Sequence, residues 1–188
     1  MLFQTEGISK FISGVILFDE TIRQKTTLGP TIPELIAKQG AIPGIKVDKG
    51  LQPIEDCPGE TVTVGLEGLD ERLKEYFSMG AKFTKWRAVI NVSDEIPSNN
   101  CISENMNALA EYALIAQQNN MVPIVEPEVI MDGSHSVERC HEVTNQTLLV
   151  LFEMLDKKNV NIKGTLLKPN MVVSGTADSI VMVEGVSD

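Results

Sequence analysis

A chain of 188 residues, 43% hydrophobic and 5% aromatic, can bury one core but hardly two. Its formal net charge of −10 and sequence pI of about 4.7 argue against the basic footprint that grips a phosphate backbone, so nucleic acid is not expected as a partner. No apolar stretch of about 18 residues is present to span a bilayer. The start MLFQTEGISKF lacks the basic head and apolar run of a secretory leader, so no membrane is expected either.

In chain order, the first strand signal is the branched, apolar ISGVILF at 12–18. Residues 31–39, with Pro33 in a first-turn position and Gly40 following, predict a short helix. GIKV at 44–47 predicts a second strand, and Pro43-Gly44 and Pro58-Gly59 read as turns, without a Walker or dinucleotide pattern around them. Residues 66–79 place Leu66, Leu69, Leu73, Tyr76 and Phe77 at helical spacing, and Gly80 follows where a left-handed cap is wanted. FTKWRAVINV at 83–92 is the third strand. Ser98 is placed to cap a helix whose stripe is Ile102, Met106, Leu109, Ala110, Ala113 and Leu114, with a polar exit at Gln117-Gln118-Asn119-Asn120. VPIVEPEVI at 122–130 is the fourth strand. From Ser136, the residues Val137, Cys140, Val143, Thr144, Leu148, Leu151, Phe152 and Leu155 line one helical face that ends at Asp156-Lys157-Lys158-Asn159. KGTLL at 163–167 closes the series as a strand.

Strand and helix therefore alternate with a strand-to-strand spacing of roughly 30 to 40 residues, the rhythm of right-handed crossovers onto a parallel sheet. No linker divides the chain, so one unit over 1–188 is expected. A doubly wound sheet and a (β/α)8 barrel share this rhythm. Cys57, Cys101 and Cys140 are odd in number, far apart and without C-x-x-C spacing, which suits a reducing cytoplasm rather than a disulfide framework or zinc site. His135 and His141 have no Cys or carboxylate at ligand spacing, so no metal is expected.

Strands covered on both faces should be nearly continuous apolar runs, because an unpaired buried charge costs several kcal/mol. Four strands break that rule. Lys46 and Asp48 follow Gly44-Ile45, Lys85 and Arg87 flank Trp86, Glu126 and Glu128 flank Pro127, and Lys168 follows Leu166-Leu167. The spacing of two turns both members of each pair to one face. One such pair reads equally well as a solvated strand end or a structural ion pair. Their recurrence points instead to charges converging at the strand ends, suited to an anionic substrate and to proton transfer. Lys168, before Pro169 and Asn170, also fits a surface turn. A cationic neighbour such as Lys85 would disfavour a second positive charge on it and leave a free amine able to attack a carbonyl.

At these residues the chain resembles the class I fructose-bisphosphate aldolases, the bacterial-type members above all. The stretches that carry the resemblance are SGVILFDET, PGIKVDKG, GLEGLDERL, KWRAVI, SENMNALAEYA, VPIVEPEV, DGSHSVERC and GTLLKPNMV, in family order over about 12–175. The resemblance implies a (β/α)8 TIM barrel that reversibly cleaves fructose 1,6-bisphosphate into dihydroxyacetone phosphate and glyceraldehyde 3-phosphate, with no metal or cofactor. It places Lys168 on the Schiff-base lysine, Glu126 on the acid/base glutamate and Lys85 on the adjoining catalytic lysine, with Lys46, Arg87 and Glu128 on substrate-binding positions. It also implies an incomplete barrel of about five parallel strands. The first strand with its aspartate, and the seventh and eighth strands with their phosphate loop and arginine, are expected to be missing. The tail at 176–188 is expected to diverge. With two sheet edges open, little aldolase turnover is expected, and association through those edges, as in a homo-oligomer, stays open. Two readings stand side by side: an aldolase by descent, or a non-catalytic fragment that binds sugar phosphates or a protein partner.

Overall fold

A computed structural model of the chain describes residues 5, 7–27 and 29–177. Most of the tail expected to diverge, 178–188, and residues 1–4 and 6 of the start lie outside the described residues. Five strands, β1 (Gly14–Leu17), β2 (Ile42–Lys46), β5 (Phe83–Ile90), β6 (Val122–Val129) and β7 (Leu166–Leu167), pair in parallel in the order β1-β2-β5-β6-β7. A separate antiparallel hairpin, β3 (Leu51–Pro53) with β4 (Thr61–Thr63), fills the connection after β2. Helices α1 (Asp19–Ile22) and α2 (Ile32–Lys38) follow β1, α3 (Leu69–Ser78) precedes β5, α4 (Asn99–Gln118) follows β5 and α5 (Val137–Lys157) follows β6. The strand order in space is the order in sequence and never reverses. A doubly wound sheet reverses at its switch point, so this is the arc of a barrel.

The two faces of the arc differ. On β5, Thr84, Trp86, Ala88 and Ile90 are fully buried on the helix side, while Phe83, Lys85, Arg87 and Val89 alternate with them on the inner face. The helix side is a finished core: Trp86 stacks on Tyr112 of α4 at 5.4 Å between ring centroids. The Tyr112 hydroxyl bonds Thr84 Oγ1 at 2.7 Å and donates to the Ile124 carbonyl at 3.2 Å, tying β5 to β6 from behind. Ile102, Met106, Leu109 and Ala113 of α4, and Val143 and Leu151 of α5, complete that layer.

The caps form where the sequence put them. The hydroxyls of Ser98 and Ser136 each accept a backbone N–H, from Cys101 and Arg139, at 3.1 Å. Gly80, at φ 107, ends α3 in the left-handed region. Two expectations are corrected. Pro43-Gly44 is no turn but the middle of β2, where the Phe83 ring lies so close over Gly44 that a Cβ would meet it at 2.3 Å. The last strand is confined to Leu166–Leu167, with residues Ile162–Gly164 in a 3₁₀ turn. The β3–β4 hairpin around the Pro58-Gly59 turn was not foreseen. It is held from outside: Asn105 of α4 donates to Thr61 O at 2.7 Å and accepts from Thr63 N at 3.2 Å.

Candidate active site

The inner face of the arc is graded. At the N-terminal ends of the strands, Gly14, Ile16, Ile42, Phe83, Ile124 and Leu166 line an apolar groove of about 420 Å³. At the C-terminal ends stand the charges. That end is where barrels of this type assemble their chemistry, from residues on several strands.

Glu126 of β6 is the centre of the charged cluster. Its side chain is only 4% exposed, yet both carboxylate oxygens meet a lysine. Oε2 lies 2.7 Å from Lys85 Nζ of β5, and Oε1 accepts a hydrogen bond from Lys168 Nζ, just past β7. Burial by itself would push the Glu126 carboxyl up, but the Lys168 hydrogen bond and the Lys85 ammonium outweigh it and hold the carboxyl below the usual carboxylate range. Glu126 is therefore a buried anion stabilised by two cations from opposite flanks.

Lys46, Arg87 and Glu128 share the face but not this cluster. Lys46 pairs with Asp48, its neighbour two residues on, and Arg87 pairs through Nε with Glu128. Asp48 joins the two pairs, since its second oxygen accepts the Arg87 backbone N–H at 3.4 Å. The loop that carries Asp48 is fixed by Arg72 of α3, whose guanidinium donates to the carbonyls of Val47 at 3.0 Å and Gly65 at 2.5 Å. Sequence reasoning placed Asp48 on the right face but gave it no part, and missed Arg72. The visible signal for Asp48 was the strand-end spacing Lys46-x-Asp48; for Arg72 there was none, because its partners are backbone carbonyls.

Other reactive side chains stand apart. Burial, with Glu60 beside it, pushes the Cys101 thiol up to about 12, so it stays protonated in the first turn of α4. His135 is buried in the loop before α5, where its carbonyl accepts from the Gly175 N–H at 2.8 Å. Among the described residues, no three of His, Cys, Asp and Glu converge as a metal ion would require.

The sequence profile of the family described as fructose-bisphosphate aldolase class-I matches residues 1–185. The chain belongs to the class I fructose-bisphosphate aldolase family. It is 55% identical over 176 residues to a Xylella fastidiosa protein named "Probable fructose-bisphosphate aldolase class 1", spanning 94% of this chain and 53% of that one. To the cytosolic fructose-bisphosphate aldolase 4 of Arabidopsis thaliana it is 48% identical, over 94% of this chain and 45% of the other. Its fold matches the fructose-bisphosphate aldolase of Plasmodium falciparum, solved with TRAP and a small-molecule inhibitor, at a TM-score of 0.91 and 47% identity, covering 94% of this chain and 52% of that one. The chain spans about half the length of these aldolases. The five-stranded arc is thus part of an aldolase (β/α) barrel, and no helix among the described residues is long and apolar enough to cross a membrane.

Proposed function

We propose that this aldolase-family chain acts on ketose phosphates through an imine on Lys168, the chemistry by which a class I aldolase reversibly cleaves fructose 1,6-bisphosphate to dihydroxyacetone phosphate and glyceraldehyde 3-phosphate. The observation that carries the reading is the buried carboxylate of Glu126, held between Lys168 and Lys85. Lys168 is the more exposed of the two lysines and so the one a substrate reaches.

The steps follow from the residue types. The Lys168 ammonium passes a proton to its contact, Glu126 Oε1, and the free amine attacks the substrate ketone. Nitrogen loses a second proton as the ketone oxygen gains one, giving a carbinolamine. The Glu126 carboxylic acid then protonates the hydroxyl, water leaves, and an iminium remains on Lys168. The iminium accepts the electron pair of the breaking carbon–carbon bond and becomes an enamine, while the hydroxyl on the departing carbon gives its proton to water and that carbon leaves as the aldehyde. Protonation and hydrolysis of the enamine release the ketone and the lysine, so the scheme needs neither a metal nor a cofactor. Lys85, held on the other oxygen of Glu126, stabilises the carboxylate when it is ionised, while burial favours the protonated form that donates to the leaving hydroxyl. Lys46, Arg87 and Glu128 are the groups left to meet phosphate and hydroxyl oxygens, with Asp48 as the anchor of Lys46. A cytoplasmic setting and sugar phosphates, rather than nucleic acid, go with this reading, and self-association through the β1 and β7 edges, unpaired among the described residues, is its structural companion.

The test is reductive trapping. The 188-residue chain is incubated with dihydroxyacetone phosphate and borohydride, and its intact mass is measured. The reading predicts one stable adduct per chain. A folded chain that stays unmodified would favour a fragment that binds without covalent chemistry.

A further inference from the structure

The Lys168 side of the cluster is joined to the rest of the sheet by very little backbone, and the cause lies in β6. Val122 and Ile130 donate their N–H groups to Lys82 and Ile90 on the β5 side, so even-numbered residues of β6 turn their backbone toward β5 and odd-numbered ones toward β7. Pro123 and Pro127 are odd-numbered and have no N–H to give. On the β7 side the ladder consists of Ile124↔Leu166 and Val125↔Leu167, followed by the bond from Lys168 N to Val125 O at 2.9 Å. Beyond Pro127, the next donor facing that way is Val129, and a side chain receives it: Asn170 Oδ1 accepts from Val129 N at 3.2 Å. The same amide donates through Nδ2 to Thr144 Oγ1 of α5 at 3.0 Å and to the Met171 carbonyl at 3.0 Å.

We propose that Asn170 is a positioning residue for Lys168, substituting for the strand pairing that Pro127 interrupts and locking the lysine against Glu126. This rests on the imine reading above. Lys168 is clamped from both directions, by its own N–H on Val125 before it and by the Asn170 amide after it. The intervening Pro169 fixes one backbone torsion of the short span between them. Without the amide, Leu166–Leu167 alone anchors the segment, and the lysine loses its fixed distance from the proton acceptor.

The experiment follows the rate at which the borohydride-trapped dihydroxyacetone phosphate adduct forms on Lys168 in wild-type chain, Asn170→Ala and Asn170→Asp, with amide hydrogen exchange at Val129 and the thermal midpoint recorded for each. Asn170→Ala is expected to slow trapping by about 10- to 100-fold, the effect of misplacing a reacting group by about an ångström, and to speed exchange at Val129. Asn170→Asp keeps an acceptor for Val129 and one for the Thr144 hydroxyl, and is expected to recover most of the rate. Trapping by Asn170→Ala at the wild-type rate overturns the inference, as does slowing in both variants that merely follows a lowered thermal midpoint. If Asn170→Ala does not fold, Asn170→Ser decides, because its hydroxyl is too short to span both partners. Slowing at an unchanged midpoint supports the inference and the wild-type rate overturns it. A folded wild-type chain that forms no adduct removes the lysine reading itself, and this inference with it.

Discussion

Glu126 is met by two lysines on unequal terms. Lys85 stands on β5, which pairs with β6 over eight residues from Phe83↔Val122 to Ile90↔Val129, and it lies between Thr84 and Trp86, both fully buried. Lys168 follows β7, which pairs with β6 at two positions. Their side chains are 19% and 57% exposed. The well-anchored lysine has the geometry of a fixed charge, and the lightly anchored one has the access a nucleophile needs. Rigidity and accessibility are supplied to the same carboxylate from opposite sides.

The largest expected effect breaks the comparison at its chemical end. Lys168→Met should abolish the trapped adduct in chain that is still folded, with a lowered thermal midpoint at neutral pH because buried Glu126 keeps only Lys85 as a partner; an adduct of undiminished yield would move the nucleophile elsewhere. Glu126→Gln keeps the shape but cannot shuttle protons, and should slow trapping by about 10²- to 10⁴-fold, as measured by the time course of adduct mass.

Trp86→Ala attacks the rigid side. Emptying the space of a fully buried tryptophan stacked on Tyr112 should cost about 3–5 kcal/mol in denaturant unfolding. It should also make Lys85 more accessible to amine-reactive reagents, a gain that Lys168 does not share.

The pH dependence sharpens the electrostatic part. Glu126 has a carboxyl held below its ordinary value of 4.5 in the folded chain, so the stability it contributes is present above that value and is lost as pH falls through the lower folded one. Wild type and Glu126→Gln should therefore diverge in thermal midpoint at neutral pH, and the difference between them should shrink as pH is lowered below about 4.5. A constant difference would mean that the lysines do not stabilise the anion. The smallest effect is expected at Lys74, whose exposed pair with Asp70 on α3 is remote from this contrast. Lys74→Ala should leave both trapping and the thermal midpoint unchanged.

Much of this arrangement was legible in the sequence, for definable reasons. The long strands and helices announced themselves by period, and Ser98, Ser136 and Gly80 marked their ends with side chains that act locally. Charges two apart on otherwise apolar strands marked the candidate residues and the face they share. What stayed hidden depends on partners distant in sequence. Strands β3 and β4 are three residues each, too short for a period, and depend on Asn105 from α4. The choice of partner within the cluster, with Glu126 between Lys85 and Lys168 but Arg87 on Glu128, is set by register rather than spacing. Pro43-Gly44 looked like a turn because the ring that fills the space over Gly44 belongs to Phe83, on the next strand of the sheet. Asn170 read as a turn residue, and only the register of β6, with Pro127 facing β7, shows why an amide is wanted there.

The most direct measurement is to trap the dihydroxyacetone phosphate adduct on the 188-residue chain and map it by peptide mass spectrometry. The unequal anchoring of the two lysines predicts modification of Lys168 with Lys85 unmodified. Modification of Lys85, or none at all in folded chain, would contradict it.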